Sequence, residues 1–172
     1  MTKKPTPAFS IEVGAPCAAW GRACPGAAAL AEEAARQALL RAADRTVAPA
    51  ACVVLGITLG EDGEQQRLNR IYRGTDAPTN ILAFPAADWG RPPPAGAPLL
   101  LGDIVLAFET IAREAAEQHK NLGDHLRHLV VHGVLHLLGC DHESAAAAAA
   151  MEAREIEILA ALGVPDPYRD TM

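Results

Sequence analysis

Residues 132–142, His-Gly-Val-Leu-His-Leu-Leu-Gly-Cys-Asp-His, constrain the fold of this 172-residue chain more than any other segment. Three histidines, His132, His136 and His142, stand at spacings of four and six inside a mostly apolar run. Four residues make about one helical turn, so His132 and His136 project from the same face. Gly139 suits the left-handed conformation that ends helices, and the spacing predicts that the helix stops there. The chain can then fold back and set His142 beside the other two. Three neutral imidazoles converging on one point are a ligand set for a divalent transition metal, zinc first, with a fourth position left for water.

The helix before Gly139 is apolar almost all round, carrying Leu126, Leu129, Val130, Val131, Val134, Leu135, Leu137 and Leu138. Such a helix is buried, and buried imidazoles need partners. One histidine in this position is satisfied by a backbone carbonyl. Two at one-turn spacing plus a third beyond a glycine favour ligation. A metal held by three neutral ligands keeps its full charge, and lowers the pKa of a bound water from about 15.7 to about 7. Asp141 and Glu143 are close enough in sequence to accept from the remaining imidazole N–H groups. His128, one turn before His132, reads as a wall residue, because His128, His132 and His136 as ligands would spread over about 12 Å of helix. His119 and His125 read as surface residues, and Cys140 as a minor candidate for a soft metal. In helical metallopeptidases a glutamate base follows the first histidine. Here that position is Gly133.

The rest of the chain alternates strands and helices. Residues 9–13 alternate apolar and polar and read as a strand, after a frayed segment 1–8. Residues 16–26 read as loop and 27–43 as an amphipathic helix. The β-branched run at 50–59 reads as a strand buried on both faces. A helix follows over 62–72, ending near Arg73, then a turn at 74–80. Strands are expected at 81–84 and 102–108, with a mobile surface loop over 86–100 rich in proline, glycine and alanine. Helices are expected at 109–120, from Gly123 or Asp124 to Leu138, and at 145–162, where six consecutive alanines strengthen the last. Residues 163–172 form a tail. The pattern predicts one α+β domain over residues 1–172, with about four partly parallel strands packed by five to six helices and a zincin-like metal helix.

Four cysteines without a Cys-x-x-Cys pair read as free thiols in a reducing compartment. No signal peptide and no apolar run of about 18 residues is evident, so a soluble, cytoplasmic protein without membrane contact is expected. The net charge of −6 requires any nucleic acid to bind a local basic patch against an unfavourable overall field.

Three blocks resemble the YbeY family of bacterial rRNA maturation factors, single-strand-specific endoribonucleases. The first is His132-Gly133-x-Leu135-His136-Leu137-x-Gly139-x-Asp141-His142. The second is Leu68-Asn69-x-x-Tyr72-Arg73, followed by Asp76-x-Pro78-Thr79-Asn80-Ile81-Leu82-x-Phe84-Pro85. The third is Leu101-Gly102-Asp103-Ile104-Val105. The resemblance implies one zinc ion at His132, His136 and His142, and a functional Arg73 steadying phosphate beside a catalytic His132. It implies action on single-stranded rRNA in maturing the 3′ end of small-subunit (16S) rRNA and in ribosome quality control. A small-subunit ribosomal protein and an Era-type GTPase are the implied partners. Ala83 stands where serine is common in the family. Two other readings remain: a ribosome-assembly factor whose zinc mainly holds the fold, and a metallopeptidase, which the missing glutamate disfavours.

Overall fold

A computed structural model describes residues 7–42, 47, 52–91 and 93–169. Among them the chain forms β1 (Ala8–Gly14), α1 (Ala19–Ala23), α2 (Ala27–Ala42), β2 (Cys52–Gly60), α3 (Asp62–Arg73), β3 (Ile81–Pro85), β4 (Leu99–Ala107), α4 (Phe108–Glu117), α5 (Leu122–Leu137) and α6 (Ala145–Ala161). The expected fraying of residues 1–6, the start of the second strand at 50–51, Ala43, Pro92 and the last three residues lie outside the described residues.

The four strands make one mixed sheet in the order β1-β2-β4-β3. β1 and β4 flank β2 in parallel, and β3 closes the edge antiparallel to β4. The fold is therefore α+β with a partly parallel sheet, as the interleaved pattern predicts. Some boundaries shift by a few residues, and one short helix is added. Leu99 and Leu100 pair with Val53 and Val54, so the 86–100 loop ends at 98. Within the segment read as loop, α1 forms a single turn that buries Trp20, whose indole N–H donates to the Gly60 carbonyl at 3.0 Å. Tertiary anchoring, not helix propensity, makes that turn.

β2 also corrects its expectation of burial on both faces. Val53, Leu55, Ile57 and Leu59 are buried, while the residues between them are only half-buried. Strand register puts Ile104 on the same face as Ile57, and this is the face on which α5 lies. The opposite face carries Gly56, Thr58 and the exposed Asp103. Alternation of this kind is the mark of a sheet with one fully covered side.

α5 crosses the covered face near β3 and β4 and also packs on α2, α4 and α6. It opens at Asn121, whose side chain accepts from the Asp124 N–H at 3.2 Å. Ser144 does the same for α6, accepting from the Ala147 N–H at 3.1 Å. Each cap satisfies one of the amide donors that a helix start leaves unpaired. All four cysteines are free thiols. No helix among the described residues is long and apolar enough to cross a membrane.

Candidate metal centre

The turn after α5 builds the site. Gly139 adopts φ 90°, which an L side chain rarely tolerates. The Gly139 N–H donates to the His136 carbonyl at 2.9 Å, and the Cys140 N–H donates to the Leu135 carbonyl at 3.0 Å. This paired closure stops the helix and reverses the chain. His142 returns to a ring-centroid distance of 4.7 Å from His136 and 5.8 Å from His132. One nitrogen from each of His132, His136 and His142 lies within 4.8 Å of the others.

The donor chemistry fits a divalent ion. His132 Nδ1 is 2.5 Å from Glu155 Oε1, so it carries the ring proton and leaves a lone pair on Nε2. That Nε2 faces His136 Nε2 at 3.0 Å. Two nitrogens pointed at each other at this distance require a cation or proton between them. Nitrogens on a tetrahedral zinc, at about 2.0–2.1 Å from the ion, stand roughly 3.3 Å apart. Burial, followed by the neighbouring His132 and His142, lowers the pKa of His136 and favours the neutral ring that ligation needs.

The three histidines share a cleft of about 410 Å³ with Arg73, Asn80, Ile81, Ala83, Pro85, Gly133 and Leu137. Arg73 arrives as the last residue of α3. That helix is fixed at its start by Asp62, whose carboxylate accepts from the Thr110 N–H at 3.0 Å and hydroxyl at 2.9 Å. Further along, Gln65 donates to the Val105 carbonyl at 3.1 Å and Asn69 to the Ala77 carbonyl at 2.8 Å. Asn80 is tied to Glu114, its amide nitrogen 3.2 Å from both carboxylate oxygens. Ile81, Ala83 and Pro85 alternate along β3 and give the cleft one apolar wall. Gly133 packs on this strand: a methyl carbon there would stand 2.7 Å from Ile81 Cδ1 and 3.1 Å from Ile104 Cγ2. A side chain at the position that would hold a peptidase glutamate would therefore have to displace the end of Ile81.

The structure places Arg73, His132, His136 and His142 on one cleft and separates the other candidates from it. His128 is neither ligand nor cleft wall; its Nε2 stands 3.4 Å from Glu155 Oε2, behind the site. His125 is not a surface residue: it is 4% exposed and pairs through Nε2 with Glu114 at 2.9 Å. It lies on the buried side of α5, whose apolar character extends further round than the spacing of its polar residues suggests. His119 is exposed, at the end of α4. Cys140 lies 3.6 Å from the Arg154 guanidinium, outside the cleft. Asp141 accepts from the Glu143 N–H at 3.3 Å, and both residues are exposed. Neither serves an imidazole. That role falls to Glu155 of α6, which is fully buried. Its sequence signal was present: Glu155 sits on the apolar stripe of Met151, Ile158 and Leu159, where an unpaired charge is costly. Burial raises the Glu155 pKa, but hydrogen bonds from His128, His132 and Tyr168 outweigh it and hold the carboxyl at about 2.

The model of the family described as "Endoribonuclease YbeY" matches residues 27–163. A protein of that name from Paramagnetospirillum magneticum is 52% identical over 164 residues, covering 95% of this chain and 98% of the relative. One from a Bradyrhizobium species is 45% identical over 171 residues, covering 99% and 97%. In three dimensions the chain is similar to TM1509 of Thermotoga maritima, whose solution structure superposes with a TM-score of 0.53 at 21% identity, covering 94% of this chain and 97% of that one. That similarity speaks for the fold, while the family match and the identities speak for descent: this chain belongs to the YbeY endoribonuclease family.

Proposed function

We propose that the protein is a zinc-dependent endoribonuclease that cuts single-stranded RNA at the cleft of His132, His136 and His142. The observation that carries this reading is the joining of a three-imidazole centre to an exposed arginine on one cleft. The relatives' printed name gives the reaction class. A divalent ion held there supplies Lewis acidity toward water and a phosphoryl oxygen. His132 presents its Nε2 to that ion because Glu155 fixes the proton on Nδ1. Arg73 has no ion-pair partner among the described residues, so its guanidinium is available to grip a phosphate through paired N–H groups. The apolar β3 wall offers no competing polar contact.

In the cell, this reading assigns the protein to the cytoplasm. There it matures the 3′ end of 16S rRNA and serves ribosome quality control, with the small subunit, one of its proteins and an Era-type GTPase as partners. The net charge of −6 favours a second reading, in which the protein assists ribosome assembly and the metal mainly holds the fold. Cleavage of a single-stranded RNA by wild type and by His132→Ala, each with measured zinc content, decides between them. Zinc-dependent cleavage lost in the variant supports the nuclease. Equal cleavage by both assigns the activity to a contaminant. No cleavage by the zinc-loaded wild type, together with unfolding on zinc removal, supports the assembly factor.

A further inference from the structure

We propose that Glu155 and Tyr168 are positioning residues of the metal centre, so that the segment after α6 helps to set how tightly the three histidines hold a divalent ion. The inference rests on the metal reading of His132, His136 and His142.

Glu155 is 0% exposed in a stripe of apolar side chains. A carboxylate survives there only if its lone pairs are used. Both oxygens are engaged. Oε1 accepts from His132 Nδ1, and Oε2 accepts from the Tyr168 hydroxyl and stands 3.4 Å from His128 Nε2. The His132 ring thus depends on the orientation of Glu155, and Tyr168 restrains that orientation from the side away from the metal.

Tyr168 lies in the segment expected to be a tail, and its described part, residues 163–169, is fastened. Gly163, with φ 72°, reverses the chain, and the Val164 N–H donates to the Leu159 carbonyl at 2.9 Å. Val164 is buried. Lys120 donates to the Pro167 carbonyl at 2.8 Å and Arg127 to the Leu162 carbonyl at 3.3 Å. The Tyr168 N–H donates to Asp166 at 2.9 Å, and the Tyr168 ring lies edge-on to His128 at 5.5 Å between centroids. These contacts leave the hydroxyl aimed at Glu155. A carboxylate that holds a ligating imidazole fixes its tautomer and raises its basicity, so loosening it weakens the metal.

The test uses the full chain, freed of metal and titrated with zinc against a chromophoric chelator, with cobalt absorption as a readout of ligand geometry. Glu155→Gln is expected to weaken zinc binding by about 10- to 100-fold and Tyr168→Phe by a smaller but measurable factor, each shifting the cobalt spectrum. Tyr168→Phe removes one hydroxyl and keeps the ring, so it carries the test if Glu155→Gln does not fold. Wild-type affinity and an unchanged cobalt spectrum in the folded variants would overturn the proposal and leave Glu155 as a tie between α5 and α6. Failure of the wild type itself to bind zinc would overturn the metal reading first, and this inference with it.

Discussion

Gly133 of α5 rests on Ile81 of β3 with no space between them: a methyl carbon at position 133 would lie 2.7 Å from Ile81 Cδ1. Alanine is the better helix former by about 1 kcal/mol, but overpacking costs about 1–3 kcal/mol. Gly133→Ala is therefore expected to lower stability by about 1 kcal/mol, a fall in Tm of about 2–4 °C for a chain of this size. Gly133→Glu, which restores the peptidase pattern in sequence, is expected to unfold the protein without creating peptide hydrolysis. Thermal melts and a peptide panel check both, and a stable Gly133→Glu variant that hydrolyses peptides would contradict the packing argument.

The proposed zinc site draws on three residues from two sides of a turn. Free zinc at a hundred times its Kd should raise the Tm of the wild type, because it adds about 2.7 kcal/mol to stability. His132→Ala, His136→Ala and His142→Ala should each lose most of that increment. A full zinc-induced rise in all three variants would place the ion elsewhere.

Arg73 is exposed and ends its helix, so it can be changed without disturbing the core. Arg73→Ala should reduce RNA cleavage by about 10²–10³-fold, the range for removal of one transition-state donor, with stability changed by less than about 0.5 kcal/mol. Arg73→Lys should recover only part of the loss, because an ammonium lacks the paired donors of a guanidinium. Steady-state cleavage assays with parallel melts measure both effects. Full activity in Arg73→Ala would remove the arginine from the site.

Acid should destabilise the metal-free protein in two steps of the same sign. Burial lowers the folded-state pKa of His125, outweighing the opposing effect of Glu114, and in the metal-free protein it lowers that of His136 as well. The unfolded chain therefore binds more protons, and the contribution of neutral His125 is present above about pH 6.5 and lost as pH falls below it. Glu155, held at about 2 against an ordinary 4.5, keeps its contribution above about pH 4.5 and loses it progressively toward pH 2. Urea midpoints across this range should show both slopes, with the lower one reduced in Glu155→Gln. A wild-type stability that is flat from pH 7 to pH 3 would contradict both assignments.

Much of the centre is legible in the chain because its geometry is local. The interval between His132 and His136 follows from helical pitch, and the stop at Gly139 from the conformational freedom of glycine. Both depend on residues within a turn or two of one another. The type of most elements is legible for the same reason. Local pattern misleads where distant chain decides the outcome. The short helix around Trp20 exists because the indole reaches Gly60, forty residues away. Aspartate and glutamate beside His142 in sequence appear well placed to support the histidines, yet they face solvent.

By itself, then, the sequence determined the apolar helix, its histidine-bearing face, the turn that returns His142, and an α+β pattern with family motifs in order. Only the tertiary structure decided that β1 and β4 flank β2, that α3 delivers Arg73 to the histidines from about sixty residues away, and that Glu155 rather than Asp141 or Glu143 supports His132. The reason is physical: backbone sterics and hydrogen bonding act over a few residues, while burial and charge pairing depend on which surfaces the whole chain brings together.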